Sequence, residues 1–292
     1  MNMSIDKSKI LDGKACSQFV KDSLKPRIEA LGKKGIVPGL ATVLVGDDPA
    51  SKIYVSNKHK ACGDIGIKSY ETCLLESTSE AEVVKVVKIL NADPKIHGIL
   101  VQSPLPKRID AEKVLQVIDP SKDVDGFHPV NLGNLLRGNL ADIFVSCTPA
   151  GIIYLLKWEK VNLKGLDVVI VNRSNIVGKP LIPLFLKENS TVTVCHTSTK
   201  DLAAHTRRAD LVVTGISKAK MFTADYFKDG VIIIDVSMNR TENGLCGDVD
   251  FDNVIKKASK ITPVPGGIGP MTIAMLLVNT VTAAERQSAR GL

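Results

Sequence analysis

Ser51, Tyr54 and Lys58 recur at i, i+3 and i+7 in the stretch SKIYVSNKHK, so on a helix they share one face, with Tyr54 and Lys58 as i,i+4 neighbours. A hydroxyl, a phenol and an amine on one face can move protons and orient a polar substrate, provided the face looks into a cleft. Taken alone they are equally well a solvated face, because exposed lysines on helices are common. Two further segments shift the balance. In GILVQSPLP a polar Gln102 ends an apolar run, and Pro104 and Pro106 stiffen the turn after it. In KDVDGFHP, Asp123 and Asp125 occupy a tight loop, although Asp-Gly is also ordinary turn chemistry. The first two segments fall at carboxyl ends of expected strands, where open α/β sheets bind ligands, and the loop is able to reach them. Convergence on one site is the expectation.

A second set of residues suggests nucleotide binding. LDVVIVNRSNIVGKPL reads as strand, turn and helix, without a strict G-x-G-x-x-G. The helix start is expected to offer free N–H groups to a phosphate, with Arg173 and Ser174 as anion donors and Gly178 allowing close helix–strand packing. The next strand ends CHTSTK, with no carboxylate before Asp201. Thr197, Ser198, Thr199 and Lys200, near Arg173, suit a ribose 2′-phosphate, which favours NADP, with NAD as the alternative. TPVPGGIGPMT is a third Gly/Pro cluster, able to approach a flat ligand or to serve as a rigid turn.

The elements that must position these residues are legible in the pattern. Apolar runs at 40–46, 96–102, 166–172, 191–196, 209–215 and 230–237 read as strands buried on both faces of parallel sheets. Helical stretches alternate with them, one opened by a Ser79–Glu82 capping box and followed by Pro94. The fold class is α/β. A domain boundary is expected near 144–152, where Pro149 suits the first turn of a new helix. The last segment, PMTIAMLLVNTVTAAERQSA, is one helix able to pack on either domain.

Composition narrows the function. With 292 residues, 44% hydrophobic and 24% charged, the chain is an ordinary globular protein large enough for two domains. The N-terminus lacks the apolar core of a secretory signal, and no apolar run approaches the roughly 20 residues of a membrane span, so a cytoplasmic location and no membrane partner are expected. Six scattered cysteines, with no C-x-x-C and no zinc-finger spacing, read as reduced structural thiols, and no metal site is expected. A net charge of +7 suits anionic ligands, while only 4% aromatic residues leave little for base stacking, which argues against nucleic acid.

The segments YVSNKHKACGDIGI, GILVQSPLP, KDVDGFHPVNLGNL, CTPAGI, NRSNIVGKP, GDVDF and PVPGGIGPMTIAMLLVNTV, in this order and spacing, resemble the bifunctional methylenetetrahydrofolate dehydrogenase/methenyltetrahydrofolate cyclohydrolase family over nearly the whole chain. The resemblance implies NADP-dependent oxidation of 5,10-methylenetetrahydrofolate, then hydrolysis of the methenyl product to 10-formyltetrahydrofolate in one-carbon metabolism. It implies two α/β domains flanking a cleft: a folate-binding catalytic domain, 1–146 plus 271–292, and a Rossmann-like NAD(P)-binding domain, 147–270. It also implies a homodimer. Lys58 is the implied catalytic lysine, with Gln102 beside it, Tyr54 against the folate and Asp125 anchoring the pterin. Ser51, Pro265, Gly266 and Gly267 join Tyr54, Gln102 and Asp125 in the substrate set. The cofactor set is Asn172, Arg173, Ser174, Thr197, Ser198 and Ile216. A neutral Lys58 would take the proton of the attacking water; a charged one would orient or polarise the reacting group.

The chain departs from the family in places. Asn172 stands where the family usually has glycine, Ser237 replaces the glycine of Asp-x-Gly, and Ser103 replaces a leucine beside Gln102. The first two touch the nucleotide half. They leave open a monofunctional cyclohydrolase that has lost oxidation. The other rivals are a Rossmann dehydrogenase for a different carboxylated metabolite and a basic nucleic-acid binder.

Overall fold

A computed structural model describes residues 6–242 and 244–290. The chain divides into two compact units, one comprising Gln18–Cys147 and the residues from Ile273 onward, the other the segment ending at Ser17 together with Thr148–Thr272.

The first unit contains most of α1 (Gly13–Gly32), then β1 (Gly39–Val45), α2 (Pro49–Gly63), β2 (Lys68–Leu74), α3 (Glu80–Ala92), β3 (Gly98–Val101), α4 (Ala111–Val117) and α5 (Pro129–Leu136). Its parallel sheet has the order β2-β1-β3. Every residue of the central β1 and of β3 is buried, as an unbroken apolar run requires. β2, KSYETCL, is the strand the apolar-run criterion passes over, because as an edge strand it is mostly part-exposed and polar. Both sides of the expected capping box form at α3: the Ser79 Oγ accepts from the Glu82 N–H, and Glu82 Oε2 accepts from the Ser79 N–H.

The second unit runs through α6 (Cys147–Trp158, from Thr148), β4 (Asp167–Val171), α7 (Gly178–Lys187), β5 (Thr191–Cys195), α8 (Leu202–Arg208), β6 (Leu211–Thr214), β7 (Ile232–Asp235), a hairpin of β8 (Asn239–Thr241) and β9 (Gly244–Cys246), α9 (Phe251–Val254), β10 (Lys260–Ile261) and the start of α10 (Ile268–Ala289). Five strands form a parallel sheet, order β10-β7-β6-β4-β5. The chain leaves β4 for β5 on one side and returns to β6 on the other, so the strand order reverses between β4 and β6. Such a reversal opens the ligand crevice of doubly wound sheets.

α10 spans 22 residues with a mean hydropathy of 1.3, long and apolar enough to cross a membrane, contrary to the expectation that no such run exists. Its apolar residues have another place: Ala274, Leu276, Leu277, Val281, Ala283 and Ala284 are buried within the protein. The part beyond Ile273 is also tied down by polar contacts. Asn279 donates to the carbonyls of Val124 and Val145, Gln287 donates to that of His97, and Arg27 pairs with Glu285 at 2.6 Å.

Candidate active site

The α2 helix starts where the sequence places it. Asp48 is the N-cap, its Oδ2 accepting from the Ser51 N–H at 2.7 Å, and Pro49 opens the first turn. These hydrogen bonds hold the Asp48 carboxyl below its usual range. Ser51 is buried, Lys58 is half-buried, and Tyr54 is 41% exposed, high for a large aromatic side chain. One helix thus carries a buried hydroxyl, an amine at the surface boundary and an open ring.

Gln102 follows β3 directly, and its N–H continues the ladder to the Val43 carbonyl at 2.9 Å. Its side chain is fixed at both ends. The amide nitrogen donates to the Ser103 carbonyl at 2.6 Å, leaving the Oε1 to accept from the Lys58 ammonium at 3.0 Å. A lysine from a helix and a glutamine from a strand end meet here.

The Asp123–Asp125 loop is built as an extension of the sheet. Asp123 bridges to Ile99 in parallel, and the Ile99 N–H donates to the Lys122 carbonyl at 2.8 Å. Gly98 makes room, since a Cβ there would come within 2.6 Å of Val124. Lys122, itself buried, reaches back to the last carbonyls of α3, donating to Asn91 at 2.7 Å and Asp93 at 2.9 Å. Asp123 does not face a ligand: its carboxylate accepts from the N–H groups of Phe127 and His128 and from the Asn131 amide, and burial pushes it up to about 6. The loop's other carboxylate, Asp125, is half-buried. Burial raises it, while the Lys58 ammonium and then the Cys147 thiol pull it back. Lys58 thus hydrogen-bonds Gln102 and lowers the Asp125 carboxyl through its charge. A nearby pocket of about 660 Å³, lined by Gly46, Asp47, Lys52, Leu75, Glu76 and Arg108 among others, holds none of the three.

In the second unit the expected phosphate loop is placed as predicted but wired differently. Gly178 must be glycine, because a Cβ would sit 2.2 Å from the Asn172 carbonyl oxygen; the helix packs directly on the strand end. The free N–H groups expected at the start of α7 are not free. The Asn172 Oδ1 accepts from the N–H groups of Ser174 at 2.8 Å and Gly178 at 3.1 Å, Ser174 Oγ accepts from Val177, and the Ser174 carbonyl accepts from Lys179. Pro180 has no N–H to offer. Asn172 does this without a positive φ, so its backbone does not require a glycine there. Arg173 is exposed at the loop surface and Ser174 is half-buried.

After β5, Thr197 and Ser198 are exposed, and Thr199 closes the turn by accepting from the His196 N–H at 2.8 Å. Asp201, the first carboxylate past the strand, is spent as the cap of α8, accepting from Ala204. After β6, the Ile216 N–H donates to Asp248 at 2.7 Å. Pro265 follows a cis peptide bond, Gly266 has φ +113°, and Gly267 lies against Pro263 and Gly13 in a space no side chain would fit.

Sequence reasoning missed the groups that hold these positions. Asp248, fully buried, accepts five hydrogen bonds: from Thr214, Ile216, Lys218, Ser237 and Asn239. It fixes the turns after β6 and β7 together. Ser237, noted only as a departure, is one of its donors. The buried Asp235 accepts from Ser237 and Val249, and burial pushes it up to about 7. The one available signal was the pair of aspartates in DVS and GDVD, which composition alone does not distinguish from turns.

The model for the tetrahydrofolate dehydrogenase/cyclohydrolase catalytic domain matches residues 11–125, and that for the NAD(P)-binding domain of the same family matches residues 146–288. A bifunctional protein FolD of Nautilia profundicola is 56% identical over 277 residues, covering 94% of this chain and 97% of its own. The crystal structure of the bifunctional FolD methylenetetrahydrofolate dehydrogenase/cyclohydrolase of Campylobacter jejuni is 49% identical, with a TM-score of 0.93 over 95% of this chain and 99% of that one. The Trypanosoma brucei enzyme, solved with NADP and an inhibitor, is 35% identical, with a TM-score of 0.91 over 96% and 98%.

Proposed function

The chain belongs to the tetrahydrofolate dehydrogenase/cyclohydrolase family, and from that premise we propose that it oxidises 5,10-methylenetetrahydrofolate by hydride transfer to NADP and hydrolyses the methenyl product to 10-formyltetrahydrofolate. The observation that carries the reading is the hydrogen bond from Lys58 to Gln102, beside the Asp125 carboxylate whose charge the same ammonium stabilises. A cationic methenyl carbon is already electrophilic, so the hydrolysis needs its water positioned and its proton managed. Lys58 stands where it can do both, with Gln102 fixing its direction. Asp125 offers an acceptor for the N–H groups of a pterin, and Tyr54 an open ring for the folate to lie on. Ser51 supports the same face from within. The resemblance adds Pro265, Gly266 and Gly267 to the substrate contacts.

The residues of the second unit fit a dinucleotide. The crevice between β4 and β6 is bordered by Arg173 and Ser174, and the end of β5 carries Thr197 and Ser198 beside Lys200 with no uncommitted carboxylate. That chemistry accepts a 2′-phosphate and supports NADP over NAD. The bound cofactor supplies the hydride acceptor. The chain's own part is to grip its phosphates through Arg173, Ser174, Thr197 and Ser198 and to shape the crevice with Asn172 and Ile216. A hydrolase that has lost oxidation is not favoured, because a relative 56% identical is named bifunctional. A cytoplasmic location and a homodimer accompany this reading.

The test is to follow nicotinamide reduction with methylenetetrahydrofolate, NADP and NAD side by side, and separately the decay of methenyltetrahydrofolate without nucleotide. Reduction of NADP ahead of NAD, with methenyl decay above the uncatalysed rate, is expected. Absence of either activity removes that half of the proposal.

A further inference from the structure

We propose that Asn172 sets the dinucleotide affinity of this chain by occupying, with its own carboxamide, the N–H groups that would otherwise donate to a phosphoryl oxygen. The inference rests on the reading of the second unit as a dinucleotide site and goes beyond it. Asn172 follows the last residue of β4, and Gly215 follows the last of β6; the two strands end paired at Val171 and Thr214. The Asn172 amide nitrogen donates to the Gly215 carbonyl, so the side chain spans the point where the strand order reverses. Its oxygen faces the other way and accepts from both the Ser174 and the Gly178 N–H groups. One side chain thus holds three hydrogen bonds at the place where a doubly wound sheet receives a pyrophosphate.

The geometry makes the carboxamide oxygen a surrogate anion. It lies at the positive end of a ten-residue helix and takes the first-turn N–H of Gly178. Val177 and Lys179 donate to Ser174, so no N–H from 177 to 179 remains for a ligand. A phosphoryl oxygen seeking the Ser174 and Gly178 donors has to turn the carboxamide out, and that also breaks the link to Gly215. A glycine at this position would leave both donors open. The side chain therefore exchanges affinity for order: the loop is held in its binding shape without ligand, and the ligand meets a filled site.

The test measures binding rather than turnover. Dissociation constants for NADP and for inorganic pyrophosphate are determined by titration for the wild type, Asn172→Gly, Asn172→Ala and Asn172→Asp, together with the thermal midpoint of each with and without NADP. Both Asn172→Gly and Asn172→Ala are expected to bind both probes about ten-fold more tightly, the size of two hydrogen bonds of ordinary net strength, while melting lower in the absence of ligand. Asn172→Ala keeps a Cβ, so agreement between the two separates the freed donors from added backbone freedom. Asn172→Asp places a carboxylate on the same donors and is expected to bind both probes more weakly than wild type. Unchanged or weaker binding by Asn172→Ala, with a lowered midpoint, would show that the side chain only ties the strand ends together. Tighter binding by Asn172→Asp overturns the inference as well. A wild type that binds neither NADP nor NAD overturns the dinucleotide reading itself, a result distinct from any change among the variants.

Discussion

The ends of β3 and β4 solve the same problem in opposite ways. Both terminate an apolar strand, β3 buried throughout and β4 buried from Val168 onward, and both are followed at once by an amide side chain, Gln102 and Asn172. Gln102 spends its nitrogen on the neighbouring carbonyl and turns its oxygen outward to a charged lysine. Asn172 spends its oxygen on two backbone N–H groups and its nitrogen on the Gly215 carbonyl just past β6. The first amide leaves chemistry unspent and aims it; the second consumes the donors around it. The proposed hydrolysis site draws its polar groups from side chains, whereas the proposed phosphate site draws them from backbone that needs tying down. The same contrast holds one layer deeper. Asp123 supports a second carboxylate, Asp125, that stays available, while Asp248 is itself saturated by five donors.

The largest effect that would break the comparison is at the amine. Lys58→Met is expected to lower methenyltetrahydrofolate hydrolysis by about 10³-fold, within the range of general acid–base catalysis, with NADP binding and the unfolding midpoint little changed. Hydrolysis within a few-fold of wild type would remove Lys58 from the chemistry. Next comes the saturated carboxylate. Asp248→Ala strands five donors in a buried place and should cost about 3 kcal/mol in denaturant unfolding. If it unfolds at the wild-type midpoint, the turns after β6 and β7 do not depend on Asp248. Asp125→Ala should weaken folate binding about ten- to a hundred-fold, on the scale of a lost charge-assisted hydrogen bond, and leave NADP binding nearly untouched. Equal losses for both ligands would point to a general loosening of the fold. In Lys58→Met the charge that pulls the Asp125 carboxyl down is gone, so the acid limb of folate binding should move to higher pH; an unmoved limb would mean that the two groups do not sense one another.

The smallest expected effect concerns Asp123. Burial pushes its carboxyl up to about 6 in the folded protein, above its ordinary value, so the folded form favours the protonated acid. The resulting stability is fully present below the unfolded value and is lost as pH rises through about 6. Stability measured from pH 4 to 7 should therefore fall more steeply for wild type than for Asp123→Asn. Parallel curves would place the ionisation of Asp123 outside that window.

Much of the first site was legible because its signals are local. Helical spacing set Tyr54 and Lys58 on one side of a helix, an Asp-Pro pair marked where that helix begins, and a glutamine at the end of an apolar run stood out as a polar group in a buried place. The six apolar strands followed from the same one-dimensional pattern, and the edge strand β2 escaped it because half-exposed strands mix polar and apolar residues. The second site was legible in its elements but not in its wiring. Which N–H groups at the start of α7 stay free depends on where the Asn172 side chain turns, and that is fixed by the Gly215 carbonyl just after β6, 43 residues further on. The surroundings of Asp123 and Asp125 were likewise fixed in space: the first accepts from three nearby donors, and the second feels the charge of Lys58 on α2. The sequence by itself determined the strands, the helix starts and the residue types at each strand end, because those depend on neighbours a few positions away. Tertiary structure decided which polar groups are consumed and which are left to react, because hydrogen bonds and burial are shared among segments that the chain order keeps far apart.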